Sequence, residues 1–91
     1  AASLDDEFET IDAGGYILTP GFIDPHQHLL GGSGEKGFAS QTPEIHASEI
    51  ISAGITTVVG CLGVDTTMKT FAGLLAKVKA LKEEGVHAFM W

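Results

Sequence analysis

Phe22-Ile23-Asp24-Pro25-His26-Gln27-His28 is the stretch on which the fold turns. Its first half reads as an apolar strand. Pro25, which has no ladder donor, marks a strand end or a bulge. Residues two apart on a strand share a face, so Asp24, His26 and His28 project together from its C-terminal end. Upstream, Thr19-Pro20-Gly21 breaks the chain; downstream, Gly31-Gly32-Ser33-Gly34 must be loop.

Working outward, the pattern alternates. Thr42-Pro43-Glu44 predicts a helix start, with Thr42 as cap and Pro43 at the first helical position. Ala47, Ile50 and Ile51 recur at helical spacing and Gly54 supplies the stop. Ile55-Thr56-Thr57-Val58-Val59 is β-branched and reads as a strand. A second helix carries Phe71, Leu74, Leu75, Val78 and Leu81 on one face and ends at Gly85. Val86–Trp91 reads as a third strand. Strand, helix, strand, helix, strand implies an α/β fold with a parallel sheet and right-handed crossovers. A (β/α)8 TIM barrel takes roughly 200–250 residues, so residues 20–91 correspond to about two and a half of its units. Ending on a strand, the chain is expected to be a truncated, incomplete barrel. Ahead of it, Phe8–Asp12 alternates apolar and polar residues, Ala13-Gly14-Gly15 is a turn, and Tyr16-Ile17-Leu18 is a second short strand. Residues 1–9 are acidic and read as a solvated tail or edge.

The composition narrows the function. With 44% hydrophobic and 19% charged residues, collagen-like and disordered classes are excluded. Five Lys, no Arg and twelve Asp+Glu give a net charge of −7, which argues against nucleic acid and a polybasic membrane anchor as partners. No apolar run approaches the ~18–20 residues of a membrane span. One cysteine, Cys61, rules out an internal disulfide, and the acidic N-terminus is unlike a signal peptide. A cytoplasmic setting is the expectation.

The chemistry centres on Asp24-Pro25-His26-Gln27-His28. Two neutral imidazoles on one face can bind a divalent metal, typically zinc, with Asp24 orienting a ligand from behind. The alternative is two surface histidines paired by chance. The flanking Pro-Gly and glycine loop favour the first reading, because loops after parallel strands carry barrel active sites. Glu35 closes the glycine loop. It could meet a substrate ammonium or assist a metal-bound water, although spacing alone reads it as a solvated carboxylate. The loop lacks a P-loop pattern. Cys61 reads as a buried inert thiol, His46 as a surface residue, and His87 as a core or solvent-facing one. Lys77, Lys79 and Lys82 read as a solvated face, with Lys79 able to pair with Glu83.

Thr19-Pro20-Gly21-Phe22-Ile23-Asp24-Pro25-His26-Gln27-His28 resembles the first-strand signature of the amidohydrolase superfamily, P-G-x-I-D-x-H-x-H. Leu29–Glu35, Gln41–Glu44, Ala53–Gly60 and Leu74–Gly85 are similar to the isoaspartyl (β-aspartyl) dipeptidase family. The resemblance covers residues 8–91 and only the N-terminal part of such an enzyme.

It implies a metal-dependent hydrolase barrel, with residues 1–19 belonging to a small β-sandwich. It implies His26 and His28 as zinc ligands. Glu35 would lie near the substrate's amino group and the attacking hydroxide, and the Ser33 loop would contact substrate. Val64 stands where a substrate-binding threonine is expected; without a hydroxyl, only its backbone could serve. The further ligands of a binuclear zinc site, including a carbamylated lysine, lie outside this chain. The implied activity is hydrolysis of β-aspartyl dipeptides, with these 91 residues alone inactive because they hold only His26 and His28 of the metal set. Strands Phe22–His26 and Ile55–Val59, apolar on both sides, would leave open edges, so a homo-oligomer is expected. Two alternatives stay open: an amidohydrolase of cyclic amides or N-acyl groups, and a non-catalytic truncated product.

Overall fold

The computed structural model describes residues 7–32 and 35–91. Ser33, expected at the substrate, lies outside the described residues, as do residues 1–6 of the acidic tail. The elements in chain order are β1 (Phe22–Gln27), α1 (Ala47–Ser52), β2 (Ile55–Gly60), α2 (Phe71–Glu83) and β3 (His87–Met90). They form one sheet in the order β1-β2-β3, with both pairings parallel. Each neighbouring pair is joined through a helix, as parallel strands require.

β2 and β3 run in even register from Thr57↔His87 to Gly60↔Met90. β1 does not: its register against β2 shifts between Asp24 and Gln27. Pro25 sits in that interval, so the missing N–H is absorbed by a bulge, one of the two outcomes expected of it. Beyond the bulge, Gln27 pairs with Gly60, and the Cys61 N–H donates to the Gln27 carbonyl at 3.0 Å. The C-terminal ends of β1 and β2 therefore lie side by side.

The core lies between the sheet and its helices. Leu29, Ile50, Val58, Leu74, Leu81 and Ala88 are all within 1% of complete burial. A leucine or isoleucine so buried contributes about 1.5–3 kcal/mol of transfer free energy. α2 buries Leu74, Val78 and Leu81, but Phe71 and Leu75 are 62% and 45% exposed, so its inward face is narrower than the sequence pattern suggested. Thr70 caps α2, its hydroxyl accepting from the Gly73 N–H at 3.1 Å. At the other end Gly85 N–H reaches the Lys82 carbonyl and Val86 N–H the Leu81 carbonyl, a Schellman closure.

Three expectations are corrected. The first helix begins at Ala47, with His46 as cap, and not at Thr42. The Thr42 hydroxyl is engaged elsewhere, accepting from the Gly32 N–H at 2.7 Å and donating to the Gly32 carbonyl at 3.1 Å. Glu49 instead accepts from the His46 N–H at 2.9 Å. Second, Phe8–Asp12 and Tyr16–Leu18 are not strands, although the Gly14-Gly15 turn between them forms. Ile11, Tyr16, Ile17 and Leu18 are each more than 80% exposed and have no strand partner among the described residues. A two-stranded hairpin without a face to cover is marginal in water. This arm also explains a radius of gyration of 17.6 Å, against roughly 12 Å for a compact chain of this length. Third, the Lys79–Glu83 pair does not form among the described residues; Lys77 bonds Glu44 at 3.1 Å instead, and Lys82 lies 5.3 Å from the Phe89 ring centroid.

Candidate functional site

The site stands at the C-terminal ends of β1 and β2. His26 is in β1 and His28 lies just past its end. Their rings stand side by side, centroids 5.4 Å apart and tilted by 53°, so the spacing rule correctly brings them together. Asp24 lies behind them, with Oδ1 accepting from the His26 backbone N–H at 3.0 Å. It braces the backbone of the His26 turn, a contact that the side-chain pattern did not anticipate.

Past His28 the chain turns sharply, with Gly31 N–H donating to the His28 carbonyl at 2.9 Å. Gly31 has φ +84°, and a Cβ there would collide with the Thr42 and Pro43 carbonyls, so only glycine fits. The Thr42–Gly32 bonds tie this turn to the segment before α1. Glu35 and Lys36 follow on the exposed side.

A cleft of about 340 Å³ opens between the loop after β1 and the loop after β2. His28, Gly32, Glu35, Lys36, Thr42 and Val64 are among its lining residues. The structure thus gathers His28, Glu35 and Val64, separated by up to 36 residues, around one space. His26 is beside that space through its ring neighbour, and Asp24 is not part of the lining.

Three features escaped the sequence reading. The first is Gly63: a Cβ there would sit 3.0 Å from both Cε1 and Nδ1 of His28, so the glycine leaves room for the imidazole beside the loop after β2. The second is Cys61. It is buried, as expected, but its Sγ and a nitrogen of each of His26 and His28 all lie within 4.8 Å of one another. Burial pushes the thiol pKa up, and the negative charge of Asp24 pushes it further. The third is a buried polar group at the loop after β2, built on Asp65 and Lys69. Asp65 Oδ1 accepts from the N–H groups of Thr67 and Met68 at 2.9 Å, and Gln41 bridges Asp65 Oδ2 (3.3 Å) and Lys69 Nζ (2.6 Å). It pins the loop after β2 to the segment before α1.

The donor chemistry fits a thiophilic or imidazole-binding divalent ion. His28 Nδ1 is buried with no hydrogen-bond partner among the described residues. A buried polar atom left so costs about 1–3 kcal/mol, and a metal would satisfy it.

The model of the amidohydrolase family matches residues 17–90. Imidazolonepropionase of Rhizobium rhizogenes is 34% identical over 90 residues, covering 94% of this chain and 22% of that protein. Adenine deaminase 2 of Rhizobium johnstonii is 43% identical over 58 residues, covering 64% of this chain and 9% of that protein. Among solved structures, the β-aspartyl dipeptidase of the thermophilic keratin degrader Fervidobacterium islandicum AW-1, in complex with the β-Asp-Leu dipeptide, superimposes with a TM-score of 0.75 at 50% identity. That match covers 79% of this chain and 19% of the dipeptidase; a second structure of that enzyme gives 0.76. The chain spans less than a quarter of the length of each of these proteins.

Proposed function

This chain belongs to the amidohydrolase family, and from that premise we propose that it forms the first metal-binding edge of a β-aspartyl dipeptidase. The observation that carries the reading is the gathering of His28, Glu35 and Val64 around one cleft, beside the paired rings of His26 and His28. The 50% identity to the F. islandicum enzyme supports it further.

His26 and His28 would hold zinc through neutral imidazole nitrogens, while Asp24 fixes the His26 backbone. When bound, zinc supplies a water acidic enough to ionise near neutral pH and polarises the scissile carbonyl. Glu35 faces the same cleft and is suited to hold the substrate's α-ammonium group or to take up a proton there. Val64 offers only its backbone and an apolar wall. Residues 1–19 would join a small β-sandwich, and residues 20–91 the first barrel units. The exposed Phe22, Ile23 and Phe89 would pack against the rest of the barrel. A second zinc, held by residues outside this chain, a homo-oligomeric state and a cytoplasmic setting complete the proposal. The 91 residues by themselves would turn over β-aspartyl dipeptides far below the ~10 per second of a typical enzyme, since they hold only part of the ligand set.

The imidazolonepropionase likeness, over 94% of the chain, favours a hydrolase of cyclic amides as the second reading. Ligand binding to the zinc-loaded chain separates the two. A preference for β-Asp-Leu over α-Asp-Leu, weakened by Glu35→Gln, supports the dipeptidase. Equal weak binding of both, with tighter binding of a cyclic amide, supports the second reading.

A further inference from the structure

The two loops that bound the cleft are far apart in sequence, yet one side chain bonds to both. The loop after β1 closes on Ser40. The Ser40 Oγ accepts from the Lys36 N–H at 3.3 Å and donates to the Gly37 carbonyl at 2.7 Å, and the Ser40 N–H reaches that carbonyl at 3.0 Å. Glu35 leads into this turn. The loop after β2 closes on Asp65, whose Oδ1 accepts from the Thr67 and Met68 N–H groups, and Val64 leads into that one. Between the two turns lies a second cavity of about 140 Å³, lined by Gly37, Phe38, Val64 and Asp65 among others. An open gap does not hold two loops at a fixed spacing; a polar tie does.

Gln41 makes such a tie. Its Nε2 donates to the Phe38 carbonyl at 2.9 Å in the first loop and to Asp65 Oδ2 at 3.3 Å in the second. Its Oε1 accepts from Lys69 Nζ at 2.6 Å. Both amide hydrogens and the oxygen are thus in use. Asp65 and Lys69 are 3% and 8% exposed, so one end of the tie is anchored in buried charged groups, and charge-assisted bonds are the stronger kind. A carboxylate at position 41 would keep the Lys69 bond but set acceptor against acceptor at Phe38 and Asp65.

We infer that Gln41 is a positioning residue that fixes the gap between Glu35 and Val64, and through it the grip of the cleft on a β-aspartyl dipeptide. The inference rests on the dipeptidase reading of that cleft.

NMR of the whole chain tests it. The sequence has two glutamines and no asparagine, so the Gln41 carboxamide is readily assigned. In the unsubstituted chain its protons should exchange with solvent about tenfold slower than those of a free amide, with contacts to Phe38 and Asp65. Gln41→Glu should speed amide exchange about tenfold at Lys36 and Ser40 and also at Thr67 and Met68, leaving Val58 and Leu74 unchanged. The swap Gln41→Glu/Asp65→Asn turns the bond between these two positions round. It should restore protection at Thr67 and Met68 but not at Lys36 and Ser40, since the Phe38 carbonyl still lacks its donor. Binding to the zinc-loaded chain completes the test: Gln41→Glu should cut the preference for β-Asp-Leu over α-Asp-Leu about tenfold, and the swap should recover part of it. A freely exchanging Gln41 amide, or acceleration confined to one loop, overturns the tie. Acceleration in both loops with an unchanged peptide preference overturns the positioning role and leaves the dipeptidase reading standing. An unsubstituted chain with no preference overturns that reading and the role of Gln41 with it.

Discussion

Gly63 lies against the imidazole of His28: a Cβ at position 63 would stand 3.0 Å from two atoms of that ring. The loop after β2 thus sets the orientation of a residue that follows β1, and the two loops act on the site as one unit. Gly63→Ala should tilt His28 and weaken zinc retention about tenfold to a hundredfold, the range seen when a ligand's supporting contacts are disturbed. Competition against a chromogenic chelator measures it. An unchanged zinc affinity would mean that the ring has room to move.

The inward face of α2 gives a prediction about stability. Leu74 is fully buried between helix and sheet, so Leu74→Ala should cost about 2–5 kcal/mol. Phe71, one turn earlier on the same stripe, is 62% exposed, and Phe71→Ala should change the stability of the chain by about 0.5 kcal/mol or less. Urea unfolding of both variants compares them. Equal losses would show that Phe71 is covered in solution.

Thr42 offers a test of the loop that carries Glu35. Thr42→Val keeps the shape but removes the hydroxyl bonded to both polar groups of Gly32. A loss of about 0.5–1.5 kcal/mol per hydrogen bond is expected, together with faster amide exchange through the segment after Leu30. Unchanged exchange there would mean that the Thr42 N–H, which also reaches the Gly32 carbonyl, holds the loop alone.

Cys61 gives a pH prediction for the metal-free chain. Its folded-state pKa is raised, first by burial and then by Asp24. The folded state therefore holds the thiol proton more tightly than the unfolded state. The stability this contributes is fully present below the unfolded thiol pKa, about 8.5, and is lost as pH rises through the higher folded value. Alkylation by iodoacetamide should accelerate with a midpoint above that of a free thiol. A midpoint at or below the free value would contradict the burial of Cys61.

The sequence carries the alternation of strands and helices because local periodicity encodes it. The family resemblance is borne out by the match over residues 17–90. The His26–His28 pairing was legible too, since a spacing of two on a strand fixes a shared face. What was not legible is set by contacts distant along the chain. The start of α1 moved because Thr42 is held by Gly32, ten residues away. The nearness of Cys61 to the histidines follows from the register of β1 on β2, a relation across 34 residues that no local pattern encodes. The expected strands before Pro20 failed because alternation favours a strand only where another strand can pair with it.

The dipeptidase reading is tested most directly by grafting. Residues 19–91 replace the matching segment of the F. islandicum β-aspartyl dipeptidase, which is 50% identical over the 79% of this chain that it matches. Turnover of β-Asp-Leu by the zinc-loaded chimera is then compared with that of its His26→Ala variant. Hydrolysis of β-Asp-Leu but not α-Asp-Leu, reduced at least about a hundredfold by His26→Ala, is the predicted result. A folded, zinc-containing chimera that leaves β-Asp-Leu intact, or one indifferent to His26→Ala, would contradict it.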